Sequence, residues 1–139
     1  RAKRVDPASA ESYAEVARRL VHAGRTIVDH SDRRHASAVA ILAVHAVIAY
    51  ADAVTIHVSG RKSTSSDHSA VGKLLRETLG KRLPDAQAKL IARVISAKDQ
   101  FEYQGYVATW AEASGLLQRA ERVGAWVEEV LATLPRRAS

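Results

Sequence analysis

Apolar positions along the first part of the chain recur at helical spacing. Between residues 13 and 28, apolar side chains return every three or four positions, which predicts one amphipathic helix from Pro7 to Asp29. Asp6 is a suitable N-cap, and proline suits the first helical position because its missing N–H would have no intrahelical partner. The segment from His30 to Asp32 breaks the pattern and provides a cap for the next helix.

The second predicted helix, Arg33 to Ser59, is apolar on every face. From Ala36 to Ala51, only Ser37 and His45 interrupt the apolar run. A helix of this kind either spans a membrane or forms the buried centre of a bundle. A run of sixteen residues is short for a membrane span, and alanine, which is frequent here, drives insertion weakly. We therefore expect a buried central helix and no membrane partner.

Two shorter helices are predicted in the next part of the chain. A flexible polar loop is expected from Gly60 to Ser66, after which Ser66 or Asp67 caps a third helix. This helix ends at Gly80, a residue typical of helix C-termini. A fourth helix begins at Pro84, and its apolar side extends to Phe101.

The last predicted helix follows a connection from Gly105 to Ala108. Thr109 and Glu112 have the spacing of a capping box, and the helix ends at Pro135. No segment shows a convincing strand pattern, and short connections between long helices favour antiparallel neighbours. The sequence therefore predicts one all-α domain, an up-and-down antiparallel bundle of about five helices, with residues 1–6 and 135–139 as tails.

The amino-acid composition excludes some kinds of functional site and permits others. The chain has no cysteine, which excludes disulfides, thiolate zinc ligands and a cysteine nucleophile. No apolar segment of the secretory type follows Arg1 to Arg4, so we expect a cytoplasmic protein. The net charge of +6 and the isoelectric point near 10.0 permit a polyanionic partner such as RNA or DNA. The basic residues are spread along the chain, so charge alone does not establish nucleic-acid binding.

Three polar residues are candidates for buried positions. His45 and Asp52 lie seven positions apart in the apolar second helix and so share nearly one face. We expect both to bond to a neighbouring helix, for example at the start of the third helix where Asp67 and His68 lie, because an unpaired buried polar group costs about 1–3 kcal/mol. Asp67 is expected to be buried as well. For His45, a chemical role in a cleft is an open alternative. His45, Asp52 and His68 are also suitable metal ligands, but no His-x-x-His spacing supports a site, and we expect neither a metal nor another cofactor.

Two further segments suit a phosphate-bearing ligand. The loop from Arg61 to Ser66 combines two cations with four hydroxyl groups but lacks the glycines of a P-loop, and a solvated connection is the simpler interpretation. Lys98 pairs with Glu102, and Asp99 with Tyr103, at i,i+4 spacing, which on an exposed helix contributes only a few tenths of a kcal/mol. The candidate ligand-binding residues are Arg61, Lys62, Lys98 and Tyr103.

Four short polar elements follow one another in a set order. They are Asp52-Ala53 late in the second helix, Gly60-Arg61-Lys62-Ser63, Asp67-His68, and the segment from Lys98 to Tyr103. In this order they resemble the HEPN superfamily of small helical bundles, and in particular small actinobacterial HEPN-like proteins, over roughly residues 8–134. The resemblance implies a homodimer that binds RNA or a nucleotide. It also implies a nucleotidyltransferase-type partner protein in a toxin–antitoxin system, with Tyr103 or Tyr106 as a residue that such a partner modifies.

The resemblance leaves catalysis in question. Many HEPN proteins are metal-independent RNases of toxin–antitoxin or defence systems and use an Arg-x(4–6)-His element, in which histidine moves a proton and arginine stabilises the phosphorane charge. Here Lys98 takes the basic position and no histidine follows it. Arg25 with His30, and Arg61 with His68, have the spacing but lie elsewhere and are no more frequent than chance would give. The remaining catalytic candidates are Lys98, Glu102, Tyr103 and His68.

We therefore expect an HEPN-like dimer that binds RNA or nucleotide phosphate without catalysis. The first alternative is an RNase toxin that uses the catalytic candidates. The second is a purely structural helical dimer, with the alanine-rich face of the second helix as its packing surface.

Overall fold

A computed structural model describes residues 2–65, 67–103 and 105–138, without the side chains of His68, Glu102 and Tyr103. Over these residues the chain forms six α-helices and two short strands. The helices are α1 (Ala10–Asp29), α2 (Ala36–Ser59), α3 (His68–Leu79), α4 (Asp85–Ser96), α5 (Lys98–Tyr103) and α6 (Trp110–Thr133). The strands are β1 (Ala2–Arg4) and β2 (Arg61–Ser63). The all-α helical bundle predicted from the sequence is confirmed.

Helix α2 forms the centre of the bundle. It packs against α1, α3, α4 and α6, and most of its valine, isoleucine and alanine side chains are buried. By length and composition the helix could cross a membrane, but 78% of its most apolar window is covered by the rest of the protein. The predicted buried central helix is confirmed, since packing against its neighbours accounts for its apolar surface.

The long helices alternate in direction only in part. Helix α1 runs antiparallel to α2, as predicted, whereas α6 runs in the same direction as α2. Near their starts, Arg33 lies 5.4 Å from the centre of the Trp110 ring. Near their ends, His57 donates from Nε2 to the carbonyl oxygen of Leu134 at 2.7 Å. Strict alternation fails because α3 and α4, each half as long as α2, together return the chain to the beginning of α2.

Three of the predicted helix caps are confirmed, whereas the cap predicted before the second helix is wrong, because the Asp32 carboxylate accepts from the Arg34 guanidinium and makes no capping hydrogen bond. The carboxylate of Asp6 accepts a hydrogen bond from a backbone amide of the turn that precedes α1, at 3.0 Å. Asp67 caps α3 by accepting from the amide of Ser69 at 2.8 Å. Thr109 and Glu112 form both hydrogen bonds of a capping box at the start of α6. These caps depend on residues within one turn, which is why the sequence identifies them.

The two strands correct the predicted terminal tail and polar loop. β1 and β2 are antiparallel, with Ala2 opposite Ser63 and Arg4 opposite Arg61. The Val5 amide continues the pairing by donating to the carbonyl of Gly60 at 2.8 Å. Such basic triplets have little intrinsic strand preference. Pairing between segments about sixty residues apart, which no local pattern reports, therefore creates this sheet.

The predicted fourth helix is divided at Ala97. The Ala97 amide donates to the carbonyl of Val94, three residues back, at 3.2 Å. The Phe101 amide then donates to the carbonyl of Ala97, four residues back, at 3.2 Å, within α5. The segment contains neither proline nor glycine, so the sequence carries no signal for the division.

Candidate functional site

A groove between α1 and α2 brings two of the predicted polar residues together. Its volume is about 380 Å³, and it is open to solvent. The lining residues include Tyr13, Val16 and Leu20 of α1, His45 and Asp52 of α2, and Lys62 of β2. The prediction that His45 and Asp52 share one face of the second helix is confirmed.

Asp52 is the buried charged residue of this groove, with 7% of its surface exposed. Its Oδ2 atom lies 3.7 Å from Nζ of Lys62, and that ammonium lies 5.7 Å from the centre of the Tyr13 ring. Burial raises the pKa of Asp52 from 3.8 to about 6, although attraction to Lys62 acts in the opposite direction. Asp52 therefore titrates within two pH units of neutrality, as functional carboxyl groups often do.

Burial is confirmed for Asp52 and is wrong for His45 and Asp67. His45 is exposed, because the groove leaves this side of α2 open to solvent. This position fits the alternative in which His45 faces a cleft. Asp67 is exposed because a capping residue must reach amides at the end of α3, which lies at the surface.

The predicted ligand-binding residues lie at opposite ends of α2. Arg61, which is exposed, and Lys62 directly follow the C-terminal end of this helix. Lys98 and Tyr103 are the first and last residues of α5. Phe101 of α5 shares a cavity with the start of α6, which lies beside the start of α2. The fold therefore does not gather these four residues at one place.

Several residues considered for chemistry are placed only in part. Lys98 is half-buried, whereas the side chains of Glu102, Tyr103 and His68 lie outside the described residues, so their catalytic roles stay predictions. The guanidinium of Arg25 donates two hydrogen bonds to Glu121, at 3.0 Å and 2.5 Å. The Arg25–His30 pair therefore lacks a cation that is available for catalysis.

A second cavity, of about 510 Å³, lies between α4, α5 and α6. Arg93 of α4 and Arg119 of α6 line it, and Arg122 is near enough to Arg119 to act on its charge. Burial lowers the pKa of Arg119, and repulsion from Arg93 and Arg122 lowers this pKa further. We call Arg93, Arg119 and Arg122 the arginine cluster.

The arginine cluster differs from the arginines of α1 in its partners. Arg18 and Arg25 each form bidentate bridges with a glutamate of α6. Within the part of the chain that the structure describes, no carboxylate forms an ion pair with a member of the arginine cluster. Three neighbouring cations that have no ion-pair partner among the described residues, two of them lining a cavity, form a surface suited to an external anion.

Aromatic side chains lie beside the same cavity. Phe101 forms part of its wall and contacts Tyr106 with a ring separation of 5.5 Å and an angle of 53°. Tyr106 is 37% exposed. Aromatic rings next to cations are the combination that stacks bases and binds phosphates in single-stranded nucleic acids.

The acidic residue of this cavity, Glu112, is occupied by the helix cap. Its Oε1 atom accepts from the Thr109 amide at 2.9 Å and from the Tyr106 hydroxyl at 2.8 Å. These hydrogen bonds lower the pKa of Glu112, the largest contribution coming from the Thr109 amide. The carboxylate is therefore ionised and bonded to the start of α6, and it forms no ion pair with the arginine cluster.

The sequence contains a partial signal for the arginine cluster, a local excess of basic residues, of which the predicted ligand-binding residues include only Lys98. From Lys73 to Lys98 there are seven lysines and arginines but only two acidic residues. This charge excess is spread over α3, α4, the turn between them and the start of α5, whereas α1 carries equal numbers of acidic and arginine side chains. The convergence of Arg93 with Arg119 depends on the packing of α4 against α6, which the sequence does not report.

Neither a metal site nor a comparison with known proteins assigns a function to this chain. Among the described residues, no group of three or more histidine, aspartate or glutamate side chains is placed to hold a metal ion. Comparison with protein-family models, curated proteins and solved structures finds no match to this chain. The resemblance to HEPN proteins therefore depends on the sequence elements alone and stays a prediction.

Proposed function

We propose that this protein binds RNA or nucleotide phosphate through the arginine cluster and does not cleave it. The observation that carries the proposal is the convergence of Arg93, Arg119 and Arg122 with no ion-pair partner among the described residues. A guanidinium presents five N–H donors in a planar fork that matches phosphate oxygens. A bound phosphate would also relieve the repulsion among the three cations.

The surroundings of the cluster favour a nucleotide or nucleic acid over free phosphate. The cavity is larger than one phosphate requires, and Tyr106, which is exposed and packs on the buried Phe101 ring, offers aromatic surface for a base. The excess of basic residues between Lys73 and Lys98 extends the positive charge beyond the cavity. A nucleic acid gains affinity from such an extended positive surface, because each phosphate that the protein neutralises releases counterions.

The HEPN-like assignment, the homodimer and the nucleotidyltransferase-type partner form part of this proposal. They are supported by the ordered sequence elements described above. The hydroxyl of Tyr106 donates to Glu112, so modification by a nucleotidyltransferase would break this hydrogen bond. Multi-angle light scattering tests the dimer, and a monomeric mass at every protein concentration would contradict it.

The binding test uses fluorescence anisotropy with a short labelled single-stranded RNA and a DNA of the same sequence. The test variant is Arg93→Glu/Arg119→Glu. Arg19→Glu/Arg34→Glu is the matched control, because it changes the net charge equally at side chains that are 80% and 86% exposed. We expect the test variant to lose about tenfold or more in affinity at low salt, and the control to lose much less.

Two results would contradict the proposed function. One is equal loss of affinity in the test and control variants, which would show that only the net charge matters. The other is the absence of binding to either nucleic acid by the unmodified protein at low salt. Circular dichroism of each variant shows whether a loss of affinity arises from a loss of the fold.

The same RNA, analysed on a denaturing gel after incubation, distinguishes binding from cleavage. We expect intact RNA. Fragments produced by the unmodified protein but not by Lys98→Ala/Tyr103→Phe would favour the RNase alternative instead. Equal fragmentation by both proteins would exclude this proposed catalytic site.

A further inference from the structure

The groove between α1 and α2 contains a buried carboxylate, Asp52, that lies near one cation and accepts no side-chain hydrogen bond within 3.5 Å from the described residues. Asp52 can accept several hydrogen bonds through its two oxygens. Its charged partner among the described residues is Lys62, and the 3.7 Å separation exceeds the usual range of about 2.7–3.2 Å for a hydrogen bond. Since a buried carboxylate is costly without donors, Asp52 is suited to accept from a further group.

The wall beside Asp52 is apolar and accessible. Val16 is 54% exposed, an unusual position for a large aliphatic side chain, and Leu20 and Ile48 are half-buried next to it. The groove volume of about 380 Å³ falls within the range of small-molecule sites. A ligand here would therefore contact one charged position and one apolar wall.

The groove already holds an ammonium group of the protein itself. Nζ of Lys62 lies 3.7 Å from Oδ2 of Asp52 and over the face of Tyr13, 5.7 Å from the ring centre. Attraction between a cation and an aromatic ring adds to the ion pair. The preferred occupant of this position is therefore a cation, and an anionic ligand would meet the charge of Asp52.

We propose that this groove binds a small primary amine with an apolar body. The ligand ammonium replaces that of Lys62 against Asp52 and Tyr13, and the apolar body lies on Val16 and Leu20. The side chain of Lys62 is long and ends in three rotatable donors, so it can withdraw to solvent and acts as an internal competitor. The groove is separate from the arginine cluster, and the inference does not depend on the proposed function.

The test uses phenethylamine as the probe, with 2-phenylethanol and 3-phenylpropionate as neutral and anionic controls of similar shape. Binding is followed at neutral pH by the shifts of backbone amide NMR signals. We expect phenethylamine to shift signals of groove residues, and the two controls to shift them little. Asp52→Asn should weaken amine binding about tenfold or more, because a neutral amide replaces a charged acceptor.

Lys62→Met should change amine affinity in the direction opposite to Asp52→Asn. It retains an apolar stem of similar length and removes the competing ammonium, so we expect amine binding to tighten severalfold. Three results would overturn the proposal: no amine-induced shifts in either the unmodified protein or Lys62→Met, equal binding of amine and alcohol, or weaker binding in Lys62→Met. Because Lys62→Met is expected to gain affinity, a loss of fold cannot imitate the expected result.

Discussion

The Oδ2 atom of Asp52 lies 3.7 Å from Nζ of Lys62, yet the pKa of this carboxyl group is raised rather than lowered. The loss of hydration on burial therefore outweighs the attraction of the nearby cation. An ionised Asp52 is a cost to the folded protein at neutral pH. Natural sequences retain such costs mainly where the group has a use.

The first prediction concerns the pH dependence of stability. Below the unfolded pKa of 3.8, Asp52 is protonated in both states and adds no cost; its cost then grows up to the folded pKa of about 6. A difference of about two pKa units corresponds to about 3 kcal/mol. We therefore expect the stability of Asp52→Asn relative to the unmodified protein to rise by up to about 3 kcal/mol between pH 4 and 7, in urea denaturation.

Glu128→Gln is the control for this prediction, because its pH dependence has the opposite sign. Hydrogen bonding to Arg18 lowers the pKa of Glu128, so the carboxylate stabilises the fold above its unfolded pKa of 4.5. This contribution disappears as the pH falls through the folded pKa. Glu128→Gln should therefore be most destabilising near neutral pH. A stability difference for Asp52→Asn that does not change with pH would contradict the first prediction.

Local signals explain which parts of the fold were predictable. Asp6, Asp67 and Thr109 cap helices through amides within one turn, and apolar spacing marks the long helices. The pairing of β1 with β2 and the division at Ala97 depend on tertiary contacts or on one shifted hydrogen bond. The sequence has no separate pattern for either feature.

The candidate sites were predictable to different degrees. His45 and Asp52 share a face because they lie on one helix, so their spacing was sufficient to place them together. Their different exposure depends on where α1 leaves α2 uncovered, which spacing does not report. Arg93 and Arg119 lie on different helices, and only the packing of those helices reveals that they converge.

The second prediction concerns the close approach of α2 and α6. A Cβ atom added at Gly124 would lie 2.7 Å from the hydroxyl oxygen of Tyr50 and 2.8 Å from Cζ of the same ring. Tyr50 is buried and has little room to move. We expect Gly124→Ala to lower the free energy of unfolding by about 1–3 kcal/mol, measured by thermal or urea denaturation.

Gly72→Ala is the matched control in α3. The nearest neighbour of a Cβ atom at Gly72 is the flexible side chain of Arg76, at 3.6 Å. Alanine should therefore stabilise this helix by about 0.5–1 kcal/mol, through its higher helix propensity. Similar effects of the two substitutions would show that α2 and α6 are not in close contact at Tyr50.

The third prediction concerns the bridge between α1 and α6. Arg18 donates from Nε and Nη2 to the two carboxylate oxygens of Glu128, at 2.6 Å and 2.9 Å. Bidentate geometry strengthens the pair, whereas partial exposure weakens it. A double-mutant cycle of Arg18→Ala and Glu128→Ala should give a coupling energy of about 1 kcal/mol that decreases with salt. A coupling energy near zero at low salt would contradict this interpretation.

The last prediction tests whether individual arginines contact phosphates. For single-stranded nucleic acids, the logarithm of the binding constant falls with the logarithm of salt concentration by about 0.7 for each phosphate contact. Arg93→Ala and Arg119→Ala should each reduce this slope by about that amount. Arg34→Ala removes a cation that is 86% exposed outside the cluster and should leave the slope unchanged. Equal slopes for all three variants would exclude direct phosphate contacts by Arg93 and Arg119, because counterion release depends on which charges meet the phosphates.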